Sequence, residues 1–261
     1  MATQDLHIAL IQPILVWEHP EQNRLNFTKH IENLPDTVDL VVLPEMFTTG
    51  FTMKASEVAE TMDGNTVKWM VALAKKQKLA ITGSIVIKEN GNFYNRLLFV
   101  YPDGTFKTYD KRHTFTLAGE HNTYTAGSHK LIVDYKGWKL CPLVCYDLRF
   151  PVWARNVEDY DVLIYVANWP KVRMTAWDAL LKARAIENMC FCIGVNRVGL
   201  DGNNHEYTGH SSTYDVLGNR LDSITGDKEV TEIVTLSKRE LETYRAKLNF
   251  LNDKDDFSLK V

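Results

Sequence analysis

Three side chains of unlike chemistry each follow a short apolar or β-branched run: Glu45 after residues 40–44, Lys111 after 106–110, and Cys145 after 140–144. A carboxylate, an ammonium and a thiol together suit attack on an amide-type carbon. The thiol is the nucleophile, and an adjacent cation or a helix N-terminus favours its thiolate. Glu45 can take the thiol proton, hand it to the departing amine and later activate water against the thioester. Lys111 and the backbone N–H of Tyr146 can hold the developing oxyanion. Pro151 sits where a helical turn would begin, so the free N–H groups of that turn can face Cys145. Taken singly, each residue has a plainer reading. Glu45 can cap a helix, Lys111 can be a solvated turn cation, and Cys145 can be a small buried hydrophobe.

Chemistry in open α/β sheets gathers beyond the carboxyl ends of strands, so the three residues need strands behind them. Residues 6–12 and 38–43 read as buried strands, with a helical stretch at 20–34 between them. Residues 65–77 carry apolar side chains at helical spacing, and 79–87 return to strand character. Asn90-Gly91 and Pro102-Asp103-Gly104 are turn sequences around residues 94–101, which predicts an antiparallel meander. The alternation then restarts: strand 138–144, a helix from 151, strand 162–167, helix 175–188 and strand 191–196. Ser237 to Glu240 matches a capping box that opens a last helix. Strand and helix alternating in both halves predict a mixed-sheet α/β fold with helices covering the sheets.

The 261 residues are 45% hydrophobic and 24% charged, which excludes a disordered or fibrous chain. A chain of this length buries roughly three quarters of its unfolded surface, enough for one large core or two modest ones. No linker interrupts the chain, which favours one domain over residues 1–248. The charge run at 253–256 reads as a solvated part of a tail at 249–261. A formal charge of −3 points to neither nucleic acid nor an anionic membrane as a partner. The apolar stretch 8–17 is broken by Gln12 and Pro13 and has no basic flank, so it reads as neither signal peptide nor membrane span, and a cytoplasmic protein is expected. The four cysteines, Cys141, Cys145, Cys190 and Cys192, read as thiols. A zinc-stabilised module is the rival reading, disfavoured because both pairs sit inside apolar runs.

The chain resembles the nitrilase, or carbon-nitrogen hydrolase, superfamily over almost its whole length. The resemblance rests on Gln12-Pro13, on Leu43-Pro44-Glu45-Met46-Phe47, on Tyr109-Asp110-Lys111-Arg112-His113 and on residues 144–151, Val-Cys-Tyr-Asp-Leu-Arg-Phe-Pro. Residues 184–188 (Arg-Ala-Ile-Glu-Asn) and Gly209-His210-Ser211 complete it. Several motifs in the right order are far more specific than one. The resemblance implies a four-layer α-β-β-α sandwich with two stacked mixed sheets, and a triad of Glu45 as general base, Lys111 as oxyanion-stabilising cation and Cys145 as nucleophile. It further implies that Glu120 orients the lysine, against the plainer reading of a surface loop acid. No metal or organic cofactor is implied.

Residues 145–151 and Asn168-Trp169-Pro170 look most like the omega-amidase subgroup, whose members release ammonia from 2-oxo dicarboxylate monoamides such as 2-oxoglutaramate and 2-oxosuccinamate. The remote carboxylate of such a substrate needs a cation or N–H donors. Arg149, Lys171 and Arg173 are the candidates, with Arg173 the better one. Arg149 serves equally well as a structural arginine paired within its own segment. Tyr146 and Trp169 are candidates to contact the substrate and wall the pocket. Carbamoyl-amino-acid hydrolases and aliphatic amidases share the triad and remain alternatives, as does a non-catalytic scaffold of the same fold. A nitrilase proper is disfavoured because Tyr146 and Asp147 stand where a Cys-Trp-Glu context is usual. The resemblance also implies a homodimer or larger homo-oligomer, built through residues 150–156 and 174–185, with the tail reaching the partner chain.

Overall fold

Apolar runs too short for helices become strands, and the computed structural model describes residues 4–260. The first half runs β1 (Leu6–Gln12), α1 (Pro20–Glu32), β2 (Leu40–Val42), α2 (Ala55–Val58), α3 (Asn65–Gln77), β3 (Ala80–Glu89), β4 (Asn92–Val100) and β5 (Phe106–Asp110). The second runs β6 (Val133–Tyr135), β7 (Trp138–Val144), α4 (Pro151–Ala154), β8 (Val162–Val166), α5 (Met174–Asn188) and β9 (Phe191–Val195). It ends with β10 (Val198–Leu200), β11 (Glu206–Thr208), β12 (Ser212–Tyr214), β13 (Val230–Leu236) and α6 (Lys238–Leu248). The outermost residues of the expected domain and tail, 1–3 and 261, lie outside the described residues.

Two mixed sheets form, one of six strands in the order β13-β1-β2-β3-β4-β5 and one of five in the order β12-β9-β8-β7-β6. Each is built on three parallel strands, β1-β2-β3 and β7-β8-β9, with antiparallel strands at the flanks. Strands covered on both faces read as continuous apolar runs, and period two sorts their side chains. Leu6, Ile8, Leu10, Leu40 and Val42 turn toward the second sheet and join Leu140 and Val144. Ala9, Ile11 and Val41 turn outward, onto Phe27 and Ile31 of α1 and Val67 and Met70 of α3. Trp177 and Leu181 of α5 and Leu241 of α6 join the core on the far side. The result is the four-layer α-β-β-α sandwich that the sequence resemblance implied.

Two local expectations change. The helix foreseen from Pro151 is only Pro151–Ala154, and a 3-10 turn, Cys145–Arg149, precedes it. Helical turning therefore starts at the thiol itself, so the first N–H groups beside it are those of this turn. The capping box also fails: α6 does start after Ser237, but the Ser237 side chain makes no capping hydrogen bond.

Because β7, β8 and β9 are parallel, their carboxyl ends share one edge, and Cys145, Asn168 and Asn196 follow within two residues of them. The layer behind this edge depends on Gly194. A Cβ there would lie 2.4 Å from Leu181 Cδ1 and 2.6 Å from Trp177 Cζ2, so α5 rests directly on the backbone of β9. Gly194→Ala should lower the unfolding free energy by about 1–3 kcal/mol, the usual cost of overpacking. Leu181→Ala in the same chain should recover part of that loss. Urea unfolding of the single and double variants checks this, and strictly additive losses would contradict it.

Candidate active site

Each reactive side chain sits at a break in regular structure. Glu45 leaves the end of β2 through Leu43-Pro44, and the next residue, Met46, is left-handed at φ 41° with its N–H donated to Ser84 Oγ at 2.9 Å. Lys111 extends β5, and its backbone N–H donates to Asn95 O at 3.0 Å. Cys145 turns sharply out of β7 at φ 46°, a conformation unfavourable for a residue with a side chain. Asp147 holds that corner, accepting from Val144 N at 3.0 Å, Tyr109 Oη at 2.8 Å and His113 N at 3.0 Å. Arg184 Nη2 donates to Leu148 O at 2.6 Å and fixes the end of the same turn. The nucleophile's turn is thereby tied to the segment that carries Lys111.

Glu45, Lys111 and Glu120 meet in the interior, with side-chain exposures of 0%, 1% and 0%. Lys111 Nζ donates to Glu45 Oε1 at 2.8 Å and to Glu120 Oε2 and Oε1 at 2.9 and 3.1 Å. Glu45 Oε2 also accepts the Asn168 N–H at 2.9 Å. Burial works against the Lys111 ammonium, but the charges of Glu120 and Glu45 outweigh it and hold its pKa above the ordinary lysine range. Burial raises the pKa of Glu120, against the pull of Lys111.

Burial, reinforced by the Glu45 carboxylate, pushes the Cys145 thiol well above its ordinary range, and Lys111 offsets this only in part. The thiolate expected from a nearby cation and helix N-terminus is therefore not the resting form. A carboxylate beside a thiol favours the neutral form of the thiol, and Glu45 does so here.

Cys145, Glu45 and Lys111 line a cavity of about 560 Å3, together with Tyr146, Arg149, Trp169 and Arg173. Glu120 lies behind Lys111. Arg149 is exposed and its guanidinium stacks 5.0 Å from the Trp169 ring centroid. Among the described residues it has no ion-pair partner, because Asp147 faces inward to Tyr109 and His113. Arg173 lies 4.9 Å over the Phe115 ring and likewise has no carboxylate partner among the described residues. Lys171 does not line the cavity and is paired with Glu206 at 2.9 Å. Trp169 is fixed by its backbone N–H, which donates to Asn196 Oδ1 at 2.8 Å, and by its indole N–H, which donates to Arg173 O at 2.9 Å, and Tyr146 packs edge-on against Phe115.

Asn95 and Asn168 were not identified as site residues from the sequence. Asn95 Nδ2 donates to Glu45 and Glu120, and Asn168 holds Glu45 through its backbone N–H and its side-chain amide. The available signal was a neutral polar residue inside or just past an apolar strand, since such groups are buried only when hydrogen-bonded.

The carbon-nitrogen hydrolase family matches residues 7–246. Omega-amidase YafV of Escherichia coli K12 is 43% identical over 254 residues, covering 97% of this chain and 98% of that protein. A 2-oxoglutaramate amidase of Bacillus subtilis is 35% identical over 219 residues, covering 82% of this chain and 84% of that one. Among solved structures, a CN-hydrolase superfamily protein from Xanthomonas campestris, with an arsenic adduct in its active site, superposes at a TM-score of 0.96. It is 44% identical, over 98% of this chain and all of that one (100%). With its motifs, its sandwich and its full-length relatives in agreement, the chain belongs to the carbon-nitrogen hydrolase family and is a hydrolase of carbon–nitrogen bonds.

Proposed function

We propose that the protein is an amidohydrolase that releases ammonia from the terminal amide of 2-oxo dicarboxylate monoamides, with Cys145 as nucleophile, Glu45 as general base and Lys111 as oxyanion cation. The observation that carries this reading is one cavity with Cys145 and Lys111 at its floor and, along its wall, two guanidinium groups, Arg149 and Arg173, that have no carboxylate partner among the described residues. The floor suits an amide carbon, and the guanidiniums suit a remote carboxylate. The Escherichia coli and Bacillus subtilis relatives, an omega-amidase and a 2-oxoglutaramate amidase, support the same substrate class.

The reaction runs in two halves. Cys145 Sγ bonds to the amide carbon while its proton passes to Glu45, and the carbonyl oxygen takes the charge. Lys111 Nζ donates to three carboxylate oxygens, Glu45 Oε1 and both oxygens of Glu120, so one of these bonds loosens as the oxyanion takes its place beside the Tyr146 N–H. The carbon–nitrogen bond breaks as Glu45 returns the proton to nitrogen, and ammonia leaves. Water then attacks the thioester, with Glu45 taking its proton and returning it to the departing thiolate. Glu120 holds Lys111 in place, while Tyr146 and Trp169 wall the substrate. Every proton is accounted for by residues of this chain and the incoming water.

The reading extends to organisation: residues 1–248 act as one catalytic domain, and the tail at 249–261 lies at the interface of a cytoplasmic homodimer. Exposed apolar side chains on the expected interface segments support this, including Val152 at 51%, Phe250 at 56% and Phe257 at 43%.

Ammonia release measured for 2-oxoglutaramate, 2-oxosuccinamate, glutamine, carbamoyl-β-alanine and a short aliphatic amide should favour the first two. In the same assay Arg173→Ala should raise KM for the acidic monoamides by about tenfold, and less for the neutral amide. Equal loss on both would remove Arg173 as the carboxylate reader. The resting thiol gives a second test. The ultraviolet thiolate absorbance of wild-type protein minus Cys145→Ala should stay flat up to about pH 9, the ordinary thiol value, because burial and Glu45 both oppose ionisation. A step near neutral pH would contradict a mechanism that needs Glu45 to remove the proton.

A further inference from the structure

Asn95 lies within β4 at 1% exposure. Its Nδ2 donates to Glu45 Oε1 at 2.8 Å and to Glu120 Oε1 at 3.2 Å. Lys111 Nζ donates to the same two oxygens, at 2.8 and 3.1 Å. The four atoms close a ring in which two nitrogens alternate with two carboxylate oxygens. Asn95 also reaches Lys111 through the main chain, its carbonyl accepting the lysine's backbone N–H at 3.0 Å. Its side-chain oxygen Oδ1, in contrast, is buried with no hydrogen-bond partner. A buried amide oxygen without a partner is costly and rare in native proteins. The orientation is therefore set by what the N–H2 group donates to, since a flipped amide would point its oxygen at two carboxylates.

We propose that Asn95 is a positioning residue that, by donating to one oxygen of each carboxylate, holds Glu45 and Glu120 in place around Lys111 while Lys111 turns part of its charge to the substrate. Two carboxylates this close repel, and one of a pair that shares a single cation tends to take up a proton. Hydrogen bonds donated to the ionised form oppose that uptake. Asn95 supplies one N–H to each carboxylate and adds no charge, which favours the ionised form of both over proton uptake without binding either as tightly as a second ammonium would. As the oxyanion forms, Lys111 is shared among three anions, whereas the two bonds from Asn95 persist. Asn95 touches neither the substrate nor the thiol, and it acts through Glu45 and Glu120.

This inference rests on the reading of Glu45 as the base, and the experiment separates the two. Intact-mass measurement follows the rate at which iodoacetamide alkylates Cys145, against pH. In that reaction the Sγ–C bond forms, iodide leaves, and the thiol proton goes to the base, so no physiological substrate is needed. Glu45→Gln should be slower than wild type by at least about tenfold below pH 8, and an unchanged rate and profile would overturn the base assignment itself. With that established, Asn95→Ala should shift the midpoint of the pH–rate profile upward by about one unit. Asn95→Asp, of the same shape but adding a third carboxylate, should shift it further. Asn95→Ser serves in the same way if the alanine variant does not fold, as judged by circular dichroism. A folded Asn95 variant whose midpoint coincides with that of wild type would overturn the proposal, since a purely structural residue changes the amount of active protein and not its titration.

Discussion

Two buried carboxylates share one buried ammonium, and the groups around them supply hydrogen bonds to all three. Moving an ion out of water costs several kcal/mol even after the protein relaxes, and the attraction between partners recovers this only when hydrogen bonds complete the remaining valences. Glu45 accepts from Lys111, Asn95 and the Asn168 N–H. Glu120 accepts from Lys111, Asn95 and the Phe115 N–H. Lys111 donates to one oxygen of Glu45 and both of Glu120, so a visiting anion must share its ammonium with them. Burial first, and then the negative charge of Glu45, hold the thiol pKa above its ordinary range.

That charged cluster bridges the sandwich. Glu45 and Lys111 come from β2 and β5 of the six-stranded sheet, while Cys145 comes from β7 of the five-stranded sheet. Burying an apolar layer between the sheets brings them together but does not set their register to the accuracy that proton transfer needs. Polar bolts do so: Asp147, on the cysteine turn, accepts from Tyr109 of β5 and from His113 just beyond Lys111. Gly127 serves the other side. Its N–H donates to Lys111 O at 2.9 Å, and a Cβ there would lie 2.1 Å from Asp110 O, so only glycine lets the segment after Glu120 close down on the end of β5.

Much of this was legible before the structure. β1 and β7 were placed to the residue, because their apolar runs are bounded by polar residues and turns. Glu45, Lys111 and Cys145 were read from their places at strand ends, whereas Glu120 came through family resemblance, since nothing in a loop of that composition marks a buried acid. Asn95 was invisible for a different reason. Its partner Glu45 is 50 residues away, and Asn168 reaches Glu45 across 123, so their roles exist only once both sheets have formed. Sequence also placed a cation near the thiol without seeing the burial that, together with Glu45, outweighs its effect. For Arg149, a carboxylate two residues away suggested an internal pair, but the turn at Cys145 points Asp147 inward and leaves the guanidinium over Trp169.

The central claim is that this charged cluster serves a covalent reaction at Cys145. Rapid acid quench of the enzyme during turnover of 2-oxoglutaramate, followed by intact-mass and peptide analysis, tests it most directly. The account predicts a transient adduct on Cys145 with the mass of the substrate less ammonia, absent from Cys145→Ala. Full-rate ammonia release with no such adduct, retained in Cys145→Ala, would contradict it.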